Sequence, residues 1–250
     1  MRITARTAHA RTLTTLGTAA VLAMGLVACG GDDGDGADGG DGGEDSVALV
    51  DRDPQEIMDL AERATLGADS VQLTGTITQD GVETTIDGRL GGADACEITL
   101  TVDGATVEVL GVDGEYWMKP DATFWTQQGG PSGAQVAELV GDRWVVDPEG
   151  SFAELCDVKT LLGSEDDDGD EPEYTGAEET TRDGEDVVEV SIEDEEGDGS
   201  AFVRADEPHY VVAIVREGEN EGEMTFSEFD EEFEVEAPAA ADQVDLQDLG

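Results

Sequence analysis

Short segments in which apolar and polar residues alternate, joined by Asp-Gly pairs, are the feature that most constrains this fold. Three such pairs, Asp80-Gly81, Asp103-Gly104 and Asp113-Gly114, separate alternating runs between residues 71 and 118. Asp-Gly tolerates the positive φ angles of a two-residue hairpin turn, and alternation places every second side chain on one face of a strand. These runs therefore predict an antiparallel meander with an aliphatic face and a face of threonine and acid, so that one side alone is covered.

Helices are predicted on both sides of this meander. Asp53-Pro54-Gln55-Glu56 has the cap, the N1 proline and the N3 glutamate of a helix start, and Gly67 ends that helix. The capping boxes Ser132–Gln135 and Ser151–Glu154 predict two short helices after the meander. Strands resume near residue 187 and end with Phe233–Val235. The order of helix, strands, helices and strands predicts an α+β fold of about nine strands rather than a parallel βαβ fold.

The N-terminus has the composition of a lipoprotein signal peptide. Three arginines precede the apolar stretch 19–27, which is too short to span a bilayer, because a span needs ~20 apolar residues. The sequence Leu26-Val27-Ala28-Cys29 resembles the lipobox of bacterial lipoproteins, in which the cysteine is lipidated and the preceding peptide is removed. We therefore expect residues 1–28 to be a signal peptide and Cys29 to carry palmitate. The alternative is an ordinary secretory signal with an incidental cysteine.

A tether is expected between this anchor and the folded domain. Residues 30–44 contain eight glycines and no hydrophobic side chain larger than alanine, a composition that predicts disorder. We assign residues 29–50 to an acidic, glycine-rich tether with a reach of about 25 Å. Residues 51–250 are then expected to form one domain.

The charge and the reactive residues exclude several functions. The chain has 62 acidic and 12 basic residues, a formal charge of -50, and loss of the three arginines ahead of Cys29 lowers it to -53. This charge excludes an electrostatic nucleic-acid binder and disfavours attraction to anionic lipid. Without the signal peptide one histidine remains, His209, and the sequence has no nucleophile elbow, phosphate loop or zinc-protease motif. We therefore expect no enzymatic activity, no metal and no cofactor, and we interpret the many acid pairs as a solvated surface.

Two cysteines remain once Cys29 is assigned to lipid. Cys96 lies on the aliphatic face of its predicted strand, and Cys156 lies on the apolar face of its predicted helix. Because the expected compartment is oxidising, we predict a Cys96–Cys156 disulfide. Two separate buried thiols are the alternative.

A set of segments resembles the LppX/LprAFG family of actinobacterial lipoproteins, which is itself similar to the LolA/LolB carrier fold. The resemblance rests on their order and spacing. It implies a half-barrel, in which a strongly curved antiparallel sheet wraps over a few short helices and encloses a hydrophobic cavity, and it implies carriage of lipids or lipoglycans without catalytic residues. The segments are the lipobox with its tether, Val71–Thr76, Trp117–Asp121 with Phe124-Trp125, Phe152–Asp157, and Thr225–Asp230 through Val235–Pro238.

Inward-facing residues of the predicted strands are candidates for the lining of such a cavity. Small residues among them are expected to leave room for a ligand, although they could instead let helices approach closely. The acidity of the chain makes neutral acyl lipids the preferred ligands. The candidates are Leu73, Gly75, Ile77, Ile86, Leu100, Val109, Met118, Val190, Tyr210, Val212, Ile214 and Phe226.

These observations predict a monomeric lipoprotein at the outer face of the cytoplasmic membrane, in a Gram-positive-type envelope. It binds or carries an acyl lipid or lipoglycan, and its expected partners are the membrane, reached through the N-terminal lipid anchor, the lipid ligand and an envelope transporter. The leading alternative is an envelope interaction or sensory module with a fully packed core, and an envelope enzyme is a third interpretation.

Overall fold

The dominant feature of the structure, a computed structural model, is a single sheet of 12 strands. The structure describes residues 47–249 apart from 80, 92–94, 148–149, 159, 161–171, 195–196 and 219–220. Cys29, the predicted tether up to residue 46, and the predicted helix positions Leu161 to Gly163 lie outside the described residues.

Among the described residues, three α-helices with defined bounds and several short 3₁₀ turns accompany the strands, and Val158 and Thr160 are also helical. The helices are α1 (Pro54–Leu66), α2 (Ala122–Gly129) and α3 (Gly133–Val140). The 3₁₀ turns are Leu49–Asp51, Gly130–Ser132, Ala153–Cys156, Ala240–Asp242 and Leu246–Leu249. The strands are β1 (Ser70–Gln79), β2 (Val82–Gly91), β3 (Ala95–Val102), β4 (Ala105–Val112), β5 (Glu115–Pro120), β6 (Trp144–Asp147), β7 (Glu173–Arg182), β8 (Glu185–Asp194), β9 (Gly197–Arg204), β10 (Val211–Arg216), β11 (Gly222–Ser227) and β12 (Gln243–Val244).

Two meanders make up the sheet. Its strand order is β12-β6-β5-β4-β3-β2-β1-β11-β10-β9-β8-β7, so β1 and β11 join the two meanders. All pairs are antiparallel except the terminal pair of β12 and β6, which is parallel. This topology confirms the predicted α+β fold with an antiparallel sheet.

The sheet is curved, and a single hydrophobic cluster runs along its concave face from Val109 on β4 to Val190 on β8. The concave face carries the main hydrophobic core and packs against α1 through the buried residues Ile57, Met58 and Ala61.

The antiparallel strands give the sheet two ends, which we name by their turns. The rim end carries the β1–β2, β3–β4, β8–β9 and β10–β11 connections. The base end carries the β2–β3, β4–β5, β7–β8 and β9–β10 connections. Both predicted Asp-Gly turns that are fully described have left-handed backbone: φ is 47° and 77° at Asp103 and Gly104, and 53° and 80° at Asp113 and Gly114. These angles confirm the hairpin prediction, because residues other than Gly, Asn and Asp rarely adopt them.

Helix α1 begins and ends where the sequence predicts. The Asp53 carboxylate accepts a hydrogen bond from the Gln55 backbone N–H at 3.0 Å, Pro54 occupies the first helical position, and Gly67 follows the last turn. The helix runs from the rim end to the base end over β7, β9 and β10. At the base end the Thr65 hydroxyl accepts a hydrogen bond from the Val211 N–H at 2.9 Å, which ties the helix to β10.

The two predicted capping boxes do not form. Helix α3 begins after Ser132, but the Ser132 hydroxyl makes no capping hydrogen bond. Near residue 151 the described chain forms the 3₁₀ turn Ala153–Cys156, and Asp147 supplies the acceptor for the Phe152 N–H at 3.1 Å. A carboxylate from the preceding strand therefore replaces the predicted serine cap.

Other elements differ from the prediction. Helix α2 and strands β6 and β7 were not predicted, and Leu49 in the expected tether is buried in the core. Strand β12 lies in residues 237–250, the C-terminal tail for which the sequence predicts a weak helix or strand. Phe233–Val235, predicted as a strand, has no regular structure. This segment crosses the base end of the sheet, where the Phe233 ring lies against Gly91, and the chain then reaches β12 beside β6.

Among the helices of the described residues, none is both long and apolar enough to cross a bilayer.

Candidate functional site

Backbone register places the inward side chains in rows across the concave face. Near the base end one row runs Val109, Ile98, Gly88, Leu73 and Phe226. The next row toward the rim runs Val107, Leu100, Ile86, Gly75, Met224 and Ile214. The last runs Ala105, Val102, Thr84, Ile77, Gly222 and Arg216.

The side chains become more exposed from one row to the next, going from the base end to the rim end of the strands. Leu73 is fully buried, whereas Ile77, four residues along the same strand and on the same face, is 37% exposed. Val82 and Val102 at the neighbouring turns are 42% and 40% exposed. Within the described residues, the apolar face therefore extends beyond the elements that pack over it.

The helices explain which part stays open. Helix α1 packs over β7, β9 and β10, and α2 packs over β4 and β5. The rim half of β1, β2, β3 and β11 lies between these two covers. We call its inward residues that keep some exposure the open strip: Ile77, Thr84, Leu100, Met224 and Ile214, with the buried Ile86 between them.

The predicted cavity residues fall into three groups. Leu73, Val109, Val190 and Phe226 are at most 2% exposed and belong to the packed core. Ile86 is 6% exposed and also belongs to the core. The candidates that keep more exposure are Gly75, Ile77, Leu100, Met118 and Ile214. Tyr210 and Val212 are buried outside the main core cluster.

A β-bulge displaces Val212. Val211 pairs with Val203 and Ala213 pairs with Phe202, so Val212 is the extra residue. A bulge shifts the alternation by one residue, and Val211 therefore joins the core where strict alternation from Ile214 would place Val212. The sequence pattern alone carries no clear signal of this shift, because five consecutive residues from Val211 onward are apolar.

Gly75 is needed for close approach of two strands rather than for open space. A Cβ atom built on Gly75 would lie 2.6 Å from the Glu223 carbonyl oxygen on β11. Gly222 shows the same crowding, with 2.6 Å to the Thr76 carbonyl oxygen. These glycines allow β1 and β11 to approach where the sheet curves, so Gly75 does not supply the ligand room that its size suggested.

The rim is apolar over β1–β3 and charged over β8–β10. Arg216 continues the last row beyond Gly222, and its Nη2 atom lies 2.5 Å from Oδ1 of Asp194. Tyr174 of β7 stands near this pair, and its pKa is raised by burial and then by the Glu62 carboxylate of α1. A polar group bound beside Arg216 would meet a guanidinium and several acids together.

A polar clasp closes the base end. The Tyr210 hydroxyl donates to the Asp230 carboxylate, which also accepts from the Asp69 backbone N–H at 2.8 Å. The bond to Asp230 raises the pKa of Tyr210 to about 12, and the bond from Tyr210 lowers the pKa of Asp230. The Tyr210 ring stacks on Phe229 at 4.1 Å, with the Arg204 guanidinium over both rings.

Two cavities border the described residues at the base end. One of about 250 Å³ is lined by Asp69, Ser70, Gly91, Ala95 and residues 230–233. The other, a cleft of about 460 Å³, lies between Leu60 and Ala64 of α1 and the loop Glu207–His209. Neither cavity is lined by a residue of the open strip. The Nδ1 atom of His209 lies 3.1 Å from the Arg204 carbonyl oxygen.

The disulfide joins the core to the turn after β6. Cys96 on β3 is bonded to Cys156 in the turn Ala153–Cys156, with Cα atoms 5.5 Å apart. Both residues belong to the main core cluster, as their apolar positions predicted. Within the described ranges there is no group of three or more His, Cys, Asp or Glu residues placed to hold a metal ion.

Sequence analysis missed three contributors to the rim half. Val82, Val102 and Met224 were not among the candidates, although each has the inward parity of its strand. The alternation itself contains this signal, because Val82 and Val102 lie at the ends of predicted alternating runs and Met224 lies two residues before the candidate Phe226.

Comparison with known proteins gives structural likenesses only. No family model and no curated protein matches the chain. The solved structures similar to it include the Mycobacterium tuberculosis lipoprotein LppX, with 16% identity over 74% of this chain and 100% of that chain and a TM-score of 0.47. LppX belongs to the family that the sequence resembles.

Two further structures are similar over comparable lengths. An uncharacterized conserved protein from Thermus thermophilus has 12% identity over 76% of this chain and 98% of its own, with a TM-score of 0.40. MucB in complex with MucA(peri) has 16% identity over 76% of this chain and 58% of its own, with a TM-score of 0.33.

Proposed function

We propose that this chain is a lipid-anchored envelope protein that binds an acyl chain of a neutral lipid along the open strip, without enzymatic activity. One observation carries the proposal: the apolar alternation of β1, β2 and β3 continues past the helices that cover it, so that Ile77 and its neighbours stay exposed. Contiguous exposed apolar surface is characteristic of binding sites.

The chemistry of the strip favours a hydrocarbon ligand. Its members are aliphatic except for Met224 and Thr84, and each methylene that leaves water contributes about 0.8 kcal/mol. An acyl chain along the strip, with its polar end toward β10, would bring that end beside the Arg216–Asp194 pair. The surrounding acids disfavour an anionic headgroup, which supports a neutral lipid.

The test places a charge in the strip and, as a control, on the opposite face. Thr84 points into the strip, and Thr85 beside it points to the convex face opposite Thr76. The protein is the mature chain with Cys29→Ala, which carries no acyl group of its own, and the probe is a pyrene-labelled monoacylglycerol.

We expect Thr84→Asp to weaken probe binding about tenfold or more, because a carboxylate would have to be buried against hydrocarbon. Thr85→Asp should bind within about twofold of the parent, and added salt should change little. Absence of probe binding by the parent, or equal losses in both variants, would refute the proposal. The protein would then fit the alternative, an interaction module whose core is packed shut.

The anchor is a separate part of the proposal. The lipobox Leu26–Cys29 precedes an acidic, glycine-rich segment, which supports lipidation of Cys29 and attachment to the outer face of the cytoplasmic membrane. Cys29→Ala should remove incorporation of a palmitate analogue and release the protein from the membrane fraction. A cleaved variant that stays in that fraction would contradict the assignment.

A further inference from the structure

The exposed apolar side chains of the rim end form one patch. Ile77 lies directly opposite Thr84, which lies opposite Val102, while Val82 stands two residues before Thr84 on the same face. Half of the large apolar residues that are exposed in the described part of the chain therefore lie at two adjacent turns. We call Ile77, Val82 and Val102 the rim patch.

From this geometry we infer that the rim patch docks on the outer leaflet of a membrane and holds the open strip against the lipids it takes up. The inference rests on the proposed function, since the rim patch continues directly into the open strip. A lipid that enters the strip from a membrane in contact with the rim patch does not cross water. The same contact would serve release as well as uptake.

The size of the patch argues for a membrane over a second protein. Three aliphatic side chains at these exposures offer roughly 200 Å² of surface, whereas a stable protein interface buries about 800 Å² on each partner. Side chains at projecting hairpin turns can enter the boundary of a lipid layer without a complementary partner surface. A second copy of this chain would need a much larger apolar area.

The distance to the anchor allows the contact. Seventeen residues separate Cys29 from Val47, the first described residue. A flexible glycine-rich chain of that length has an r.m.s. reach of about 23 Å. The domain is therefore held close enough to the membrane that bears the anchor for a rim contact.

Charge specifies the lipid surface. Glu83 and Asp103 adjoin Val82 and Val102 and are exposed. Like charges repel, so the rim patch should prefer zwitterionic phosphatidylcholine vesicles over vesicles that contain anionic phosphatidylglycerol. A binding surface that worked through basic residues would show the opposite preference.

The test compares two double variants of the mature Cys29→Ala chain. Val82→Ser with Val102→Ser removes the rim patch, and Leu139→Ser with Leu246→Ser removes two residues that are 54% and 38% exposed elsewhere. Flotation with phosphatidylcholine vesicles measures docking. The rate of lipid uptake from the same vesicles is compared with the affinity for dissolved pyrene monoacylglycerol.

We expect the rim variant to lose at least fivefold in flotation, and its uptake from vesicles to fall much more than its affinity for dissolved probe. The control variant should behave as the parent. Equal flotation of both variants, no flotation of the parent, or a preference for anionic vesicles would overturn the inference. The flotation assay does not depend on lipid uptake. If the parent binds no dissolved probe, the proposed function is refuted, and flotation of the parent and its variants still tests whether the rim patch docks on a membrane.

Discussion

The base half and the rim half of the concave face have the same sequence pattern but different surroundings. Leu73 and Ile77 are both aliphatic, both on β1 and both inward, yet Leu73 is fully buried and Ile77 is 37% exposed. The base half is closed by α1 and by the turn that carries Cys156, whereas the rim half of β1–β3 lies between α1 and α2. Alternation thus shows which residues share a face, and the packing of other elements determines whether that face is core or surface.

The largest expected effect concerns the covalent closure of the base half. Replacement of Cys96 and Cys156 together by alanine removes a link across a sequence separation of 60 residues. The chain-entropy model predicts a loss of about 4 kcal/mol in the free energy of unfolding. Urea denaturation of oxidised parent, reduced parent and variant measures it. A loss below about 1 kcal/mol, or a reduced parent that matches the oxidised one, would show that the base does not depend on the disulfide.

A pair of matched substitutions tests the comparison directly. Leu73→Ala should cost about 3 kcal/mol, because it leaves a cavity in a packed core. Ile77→Ala should cost less than about 1 kcal/mol, because its side chain already meets water. Urea unfolding of both variants gives the two values. Similar losses would mean that the rim half is as closed as the base half and that the open strip does not exist in solution.

A smaller effect is expected at the clasp of the base end. Tyr210→Phe removes the hydrogen bond to Asp230 and should cost about 1 kcal/mol near neutral pH, since Asp230 is exposed. The pKa of Tyr210 is raised from 10.0 to about 12, so the stabilisation is present below pH 10 and is lost as pH rises toward 12. The pKa of Asp230 is lowered from 3.8, so the stabilisation is present above pH 3.8 and is lost as pH falls through the lower folded value.

Thermal unfolding of parent and Tyr210→Phe across pH checks this prediction. The difference in unfolding temperature between the parent and Tyr210→Phe should be constant around neutral pH and should become smaller at both the acidic and the alkaline extreme. A difference that stays constant from pH 9 to above 12 would show that the Tyr210 hydroxyl does not depend on Asp230.

Local signals in the sequence predicted the elements that form from local interactions. The Asp-Gly turns at Asp103 and Asp113 and the capped helix after Asp53 appear as predicted, because their backbone angles and caps depend on a few adjacent residues. The Cys96–Cys156 bond also followed from local evidence, since both cysteines lie on apolar faces.

Elements that depend on distant partners were missed. Strand β7 is a polar edge strand with a bulge beside Gly176, and it has no apolar period of its own. Helix α2 is different, because Asp121 caps it through a 2.7 Å bond from the Phe124 N–H, a signal that the sequence does contain.

For the candidate site, the sequence by itself determined the parity of most inward residues, including Leu73, Ile77, Ile86 and Leu100, because the two-residue period of a strand is a local property. The tertiary structure alone decided which of them are exposed. In the tertiary structure a bulge places Val211 in the core in the position expected for Val212, and Gly75 lies where β1 and β11 approach too closely for a side chain. The physical reason is that burial depends on what packs against a face, and the helices α1 and α2 of the described residues pack over β7, β9 and β10 and over β4 and β5, which leaves the rim half of β1–β3 between them.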